Sequence, residues 1–220
     1  MLHHAIISAS EFNAIPLFDS QSHEVPVEAL LAVGKLLLES GLEEDYCITL
    51  LHRHFDLQAE HIMVHSSGNG EDVCTPRRVR DLDMATLVPC SIFLNRDLSF
   101  QPFEYAFGTE RVPLTQQFLH QLRSLLVAKQ LETILALATS PRPRIEDGLA
   151  VETLLPDLLG MHTVLQAGQD HDISSSESVV TGWTFDKDGF GNIRIRAVKE
   201  CVKNAVGVHE VRDAQTAKTS

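Results

Sequence analysis

The sequence predicts an α+β fold in which a mainly antiparallel curved sheet or partial barrel carries two or three packed helices. Short apolar stretches typical of strands follow one another without helices between them, which favours antiparallel pairing over a doubly wound parallel sheet. Other stretches carry apolar residues at helical spacing. With 220 residues, 44% of them hydrophobic, the chain (1–220) is expected to form a single domain with its own core, and we identify no internal repeat.

Two helices are predicted with defined ends. The first runs from Pro26 to Ser40, because proline is tolerated in the first turn and Gly41 suits the left-handed position after the last turn. The second begins near Thr115, whose hydroxyl can cap it, and continues to about Gln130. Each carries an apolar stripe that should pack on the sheet.

A third helix is predicted near the end of the chain, around Ala197–Ala205. Its apolar residues recur at i, i+3, i+4 and i+7, which is typical of one helix face. They are Val198, Cys201, Val202 and Ala205. The polar segment 170–178 is expected to be exposed, and residues from about 215 to 220 are expected to be a disordered tail.

Seven strands are predicted from short apolar stretches bounded by turn residues. Within the fourth, Phe103, Tyr105 and Phe107 should share one face, because strand side chains alternate. The predicted strands are Tyr46–Phe55, His61–His65, Leu87–Leu94, Phe103–Gly108, Gly148–Leu155, Met161–Ala167 and Ser178–Phe185.

Charge and composition exclude several classes of partner. The formal net charge is −12, from 30 acidic and 18 basic side chains, and such a surface repels nucleic acid and anionic membranes. No apolar run approaches the roughly 18 residues that a membrane helix needs. The N-terminus lacks a signal-peptide pattern, and the four cysteines form no CxxC pair. A cytoplasmic protein with reduced thiols is therefore expected.

The first predicted strand carries the residues most informative about function. His52 and His54 are two positions apart, so on a strand they point to the same side, at the end of an apolar stripe that begins at Tyr46. Imidazole titrates near neutral pH and is the commonest metal ligand among side chains. This placement predicts a site that performs acid–base chemistry or binds a metal.

The pairing of this strand with His61–His65 leaves two arrangements open. A four-residue loop places His52 opposite His65 and gathers four imidazoles, those of His52, His54, His61 and His65, on one face. A five-residue loop turns His61 and His65 to the opposite face, because a slip of one residue reverses every side chain. The first arrangement would suit zinc, iron or copper. Since both are allowed, no metal and no other cofactor is predicted, and metal remains the alternative.

Motif exclusions favour a small-molecule enzyme. The sequence has no nucleotide-binding loop, no nucleophile elbow and no His-Glu-x-x-His motif. We therefore expect a lyase, isomerase or cyclase that uses histidine acid–base chemistry on a hydrophobic small molecule, in an apolar pocket without an organic cofactor. The alternatives are a His-ligated transition-metal enzyme and a non-catalytic ligand-binding or assembly protein. The candidate catalytic residues are His52, His54 and Tyr105, and the candidate ligand-binding residues are Tyr46, Phe103 and Trp183.

Overall fold

The computed structural model describes residues 6–18, 25–68, 71–108, 112–140, 148–155, 160–167 and 178–202. These residues contain three α-helices, namely α1 (Ala9–Phe12), α2 (Val27–Ser40) and α3 (Gln116–Ala128). They also contain ten strands: β1 (Tyr46–Leu50), β2 (His61–Gly68), β3 (Glu71–Arg78), β4 (Leu87–Leu94), β5 (Phe100–Phe107), β6 (Leu135–Thr139), β7 (Gly148–Leu155), β8 (Gly160–Ala167), β9 (Ser178–Lys187) and β10 (Ile193–Val202).

The described strands form one closed barrel. Their order around it is β1-β6-β4-β5-β2-β3-β8-β7-β10-β9, and β9 returns to pair with β1. All neighbours are antiparallel except the β2–β5 and β7–β10 pairs. The predicted α+β class with a mainly antiparallel curved sheet is confirmed. No helix among the described residues is long and apolar enough to cross a membrane.

The barrel is built from two units of the same topology. In each, one helix is followed by five strands: α2 with β1–β5, and α3 with β6–β10. If each strand of one unit is replaced by the corresponding strand of the other, β1 by β6 and so on, every strand keeps the same pair of neighbours around the barrel. Both helices end at a left-handed residue, Gly41 (φ 65°) or Gln130 (φ 57°). The next residue, Leu42 or Leu131, donates its N–H to the carbonyl five positions back. The structure therefore contains an internal repeat, and the sequence interpretation of no repeat is wrong at this level.

The two predicted helices are confirmed. Pro26 precedes the first residue of α2, and Gly41 follows its last residue in the left-handed conformation. Thr115 caps α3, since its hydroxyl oxygen accepts a hydrogen bond from the Phe118 N–H at 3.1 Å. Both helices pack on the outside of the barrel over a helix-side cluster. Its fully buried members include Val33, Leu37, Ile48, Leu122, Leu135 and Phe185.

Removal of the α3 cap is expected to destabilise the protein modestly. Thr115→Ala leaves the Phe118 N–H without its side-chain acceptor, which costs about 1 kcal/mol of unfolding free energy. Thr115→Ser keeps a hydroxyl and serves as the control. Urea unfolding of the three proteins measures the difference, and equal midpoints for Thr115→Ala and the unsubstituted protein would contradict the capping role.

The third predicted helix is wrong. Residues 193–202 form β10, which pairs along β9 and runs parallel to β7. The helical spacing of Val198, Cys201 and Val202 is overridden because two neighbouring strands satisfy the backbone groups of this segment. Residues 203–205, 170–177 and 215–220 lie outside the described residues, so the predictions made for them stay untested.

Other strands agree closely with the sequence prediction. β4 and β7 have the predicted bounds, and the segments predicted at 103–108 and 178–185 lie largely within β5 and β9. Strand β6 was not predicted. It alternates leucines toward the helix-side cluster with Ala136 and Ala138, and this short apolar run can be read as either strand or helix.

Phe103 and Tyr105 do not share a face. The pairing of β4 with β5 shifts on both sides of Ser91 and leaves Phe103 of β5 without an opposite residue, and such a bulge redirects side chains of the strand that contains it. Phe103 stacks edge-to-face on Phe93 at 5.7 Å between ring centroids, within a cluster on the inner side of the barrel. Tyr105 packs instead with Ile62 and Val64 in a separate cluster.

The interior cluster combines strand residues with the N-terminal segment. Leu51, Met63, Phe93 and Ala136 belong to it, on the opposite side of the sheet from helices α2 and α3. Residues 7–15, which include α1, contribute further apolar side chains. These are Ile7, Phe12 and Ile15, all buried. The N-terminal segment thus packs against the inside of the barrel, next to the residues that follow β1.

Candidate metal centre

His52 and His54 lie together, although not on a strand. β1 ends at Leu50, so the predicted extension to Phe55 is wrong. The chain then turns, and Arg53 forms an isolated parallel bridge with Leu17. The two imidazoles nevertheless face each other, with 3.1 Å between their Nε2 atoms. His52 and His54 therefore point to the same side, as predicted, although the strand on which that prediction depended ends before them.

The thiol of Cys201 completes this group. Its Sγ atom lies 3.5 Å from His52 Nε2 and 3.8 Å from His54 Nε2. Cys201 is fully buried on β10, and all four cysteines of the chain are free thiols. The barrel brings Cys201 to the histidines because β10 pairs with β9, and β9 pairs with β1.

The spacing of these three atoms suits one metal ion. Typical zinc bonds are about 2.0–2.1 Å to nitrogen and about 2.3 Å to sulfur. A tetrahedral ion with such bonds holds two nitrogens about 3.3 Å apart and a nitrogen and a sulfur about 3.6 Å apart. The observed separations are 3.1, 3.5 and 3.8 Å. His52, His54 and Cys201 can therefore supply three ligands and leave a fourth position open.

Surrounding contacts hold the donors in this orientation. His52 Nδ1 lies 3.0 Å from the Leu50 carbonyl oxygen, so this nitrogen carries the proton that it donates, and Nε2 presents its lone pair. Metal-binding histidines commonly use their other nitrogen in this way. Phe18 packs on both imidazoles, at centroid distances of 4.9 and 5.5 Å. Thr181 Oγ1 lies 3.6 Å from Cys201 Sγ.

Both histidines border a cavity of about 40 Å³. Its volume has room for a few water molecules or a very small ligand. The lining combines apolar side chains with a carboxylate, an ammonium group and two hydroxyls. It includes Phe12, Thr49, Phe55, Met63, Ser91, Phe103, Glu104 and Lys199. A ligand bound here would meet both the imidazoles and charged groups.

The other residues predicted for the site occupy different places. Phe103 lines the cavity beside the histidines. Tyr46 and Trp183 belong to the helix-side cluster, where the Tyr46 hydroxyl donates a hydrogen bond to the Val112 carbonyl at 2.7 Å. Tyr105 is buried in its own cluster, and this burial raises its pKa to about 12. Only Phe103 of these four residues shares the cavity with His52 and His54.

Both arrangements considered for the His61–His65 strand are wrong. β1 pairs with β6 and β9, whereas β2 pairs with β3 and β5, so the two segments form no hairpin with each other. The group of four imidazoles therefore does not form. His61 Nδ1 contacts the Ala59 carbonyl oxygen at 2.9 Å, and His65 contacts carboxylates on neighbouring strands.

Cys201 is the candidate ligand of this group that sequence reasoning missed. The spacing of Cys201 with Val198 and Val202 indicated a helix instead of strand β10. No short sequence pattern connects Cys201 with histidines about 150 positions earlier in the chain. Comparison with protein-family models, with curated proteins and with solved structures finds no match. The chemistry of this site is therefore argued from its geometry.

Proposed function

We propose that the protein is a metal-dependent enzyme that binds one divalent transition-metal ion at His52, His54 and Cys201, with zinc as the ion that fits best. The observation that carries the proposal is the convergence of two imidazole nitrogens and one thiol sulfur within 3.1–3.8 Å of one another. Imidazole and thiolate together favour zinc over magnesium or calcium, which prefer oxygen ligands.

Three protein ligands and an open position are the pattern of catalytic zinc sites, whereas structural sites use four protein ligands. An ion held by His52, His54 and Cys201 would supply Lewis acidity in the cavity. The residues of the chain then bind and orient the substrate. Phe103 offers an apolar surface, and Lys199 and Glu104 offer opposite charges in the same cavity. This chemistry suits a lyase or hydrolase acting on a small molecule.

Metal-free acid–base chemistry by the same imidazoles is the second candidate. It is favoured by the apolar part of the cavity lining, which Phe12, Phe55 and Phe103 supply. In that case His52 and His54 exchange a proton with the substrate, and no ion is required. Metal content separates the two candidates directly.

The test is the metal content of protein purified without a nickel column, supplied with zinc and then dialysed. Cys201→Ser and His52→Gln are each expected to bind one equivalent of zinc less than the unsubstituted protein, because each loses one of three ligands. Cys47→Ser and His61→Gln are matched controls that change a thiol and an imidazole outside the group, and they should keep the full content. Elemental analysis measures all five proteins.

Equal zinc content in the unsubstituted protein, Cys201→Ser and His52→Gln would contradict a metal centre at this position. The second candidate would then take its place. Circular dichroism of each variant checks that the fold is retained, so that a loss of zinc is assigned to the ligand that was changed.

A further inference from the structure

A second group of metal-ligand side chains lies on four adjacent strands. Around the barrel these strands follow the order β4-β5-β2-β3, and each contributes to the group. Cys90 comes from β4, Glu104 from β5, His65 from β2 and Asp72 from β3. His65 is two residues after Met63 of the interior cluster, so its side chain points to the inside of the barrel. None of these residues belongs to the His52–His54–Cys201 group.

One ring nitrogen of His65 is hydrogen-bonded to a carboxylate, and the other faces the remaining side chains of the group. Its Nδ1 atom makes a short hydrogen bond with the Asp72 carboxylate. Its Nε2 atom is buried and makes no hydrogen bond, and the nearest carboxylate oxygen, Glu104 Oε2, lies 3.5 Å away. A carboxylate on one nitrogen and a second nitrogen that faces further donor atoms is the arrangement that histidine ligands of metals show.

Glu104 and Cys90 complete a set of three ligands. Ser91 donates a hydrogen bond to Glu104 Oε2 at 2.6 Å and so orients the carboxylate. One donor atom from each of His65, Cys90 and Glu104 lies within 4.8 Å of the other two. An ion at their centre would bind nitrogen, sulfur and oxygen, a combination that zinc accepts.

We propose that His65, Cys90 and Glu104 form a second transition-metal site inside the barrel, with Asp72 and Ser91 positioning two of its ligands. Glu104 also lines the cavity beside His52 and His54, so each site contributes at least one ligand to the lining of this cavity. The second site is independent of the proposed function, because it shares no ligand with the first.

The experiment counts zinc in the full chain. The unsubstituted protein is titrated with zinc in a competition assay against a chromophoric chelator, and its content is confirmed by elemental analysis after dialysis. We expect two equivalents in the unsubstituted protein, one in Cys90→Ser, one in Cys201→Ser and none in the double variant. Cys47→Ser is the matched thiol control and should keep two.

Cobalt provides a second readout. Thiolate–cobalt charge-transfer absorption should fall by about half in Cys90→Ser, because one of two thiolate ligands is lost. Glu104→Gln keeps the shape of the side chain and replaces Cys90→Ser if that variant fails to fold. It should bind zinc at the second site at least tenfold more weakly, since an amide oxygen is a poorer zinc ligand than a carboxylate.

A single equivalent that Cys201→Ser removes, and that Cys90→Ser and Glu104→Gln retain, would overturn the second site and leave the first in place. A single equivalent that Cys90→Ser removes, and that Cys201→Ser retains, would support the second site and contradict the first. No bound zinc in the unsubstituted protein would overturn both.

Discussion

Gly34→Ala is expected to lower the free energy of unfolding by about 1–3 kcal/mol or more. Gly34 lies within α2, where the helix crosses the Phe185 side chain of β9. A Cβ atom at this position would lie 2.2 Å from Phe185 Cδ1, far inside van der Waals contact. Phe185 is itself fully buried, so the ring can move only by displacing the side chains packed around it.

Whether Gly34→Ala raises or lowers the free energy of unfolding distinguishes a tightly packed helix face from an open one. In an open helix the same substitution stabilises by roughly 0.5–1 kcal/mol, because glycine loses more conformational freedom on folding than alanine. Loss of stability therefore reports the close approach of α2 to the barrel. Gly189→Ala is the control, since nothing lies within 4 Å of a Cβ atom there, and its stability should change by no more than about 0.5 kcal/mol.

A double variant tests whether the loss of stability in Gly34→Ala arises from the contact with Phe185. Phe185→Leu removes part of the ring that the new methyl group would meet, so Gly34→Ala should cost less in its presence than alone. Urea unfolding of the four proteins of this cycle measures the coupling. Additive losses would show that the Gly34→Ala effect does not arise from the contact with Phe185.

His65→Gln is expected to cost about 1–3 kcal/mol in metal-free protein, because removal of one member of a partly buried hydrogen-bonded network leaves its polar partners unsatisfied. His65 contacts both Asp72 and Glu104. Burial opposes the charged form of His65, but its contacts with the surrounding side chains, the hydrogen bond to the Asp72 carboxylate among them, raise its pKa well above the usual 6.5. Burial likewise opposes ionisation of Glu104, yet the contact with His65 lowers its pKa.

The pH dependence of stability follows from this raised pKa. A group that binds its proton more tightly in the folded state stabilises the fold fully below its unfolded pKa, near 6.5. That contribution is lost as the pH rises through the raised folded value. In chelator-treated protein, stability should therefore decline with pH above about 6.5.

This pH-dependent decline should be smaller in His65→Gln. His61→Gln changes a histidine on the same strand, whose Nδ1 contacts a nearby backbone carbonyl, and it should keep the pH profile of the unsubstituted protein. Chemical unfolding at several pH values between 6 and 9 compares the three proteins. Identical profiles for His65→Gln and the unsubstituted protein would contradict a charged network centred on His65.

Local structure was predictable where short-range chemistry determines it. Proline before α2, glycine after it and the Thr115 hydroxyl define helix ends through contacts within a few residues. Strand β4 was predictable for a related reason, because its apolar residues form one short run bounded by polar segments. The repeat of helix and five strands was not visible, since it needs only matching apolar positions and turns rather than matching residues.

Two errors came from the same physical cause. The spacing of Val198, Cys201 and Val202 fits a helix, yet backbone pairing with β7 and β9 makes the segment a strand. The expected hairpin between the histidine-bearing segments assumed that neighbours in sequence pair in space. In the barrel β1 pairs instead with β6 and β9. Strand partners depend on long-range closure of the barrel, which no local window contains.

The sequence by itself determined the α+β class, the two long helices and the proximity of His52 and His54, because these depend on spacing over a few residues. Only the tertiary structure decided that Cys201 lies beside that pair, and that His65 faces Glu104 and not His52. The donors of both proposed metal sites lie on strands that are close together in the barrel, or on residues that follow such a strand. Which strands are neighbours depends on the pairing of the whole sheet, in which strands distant in sequence lie side by side.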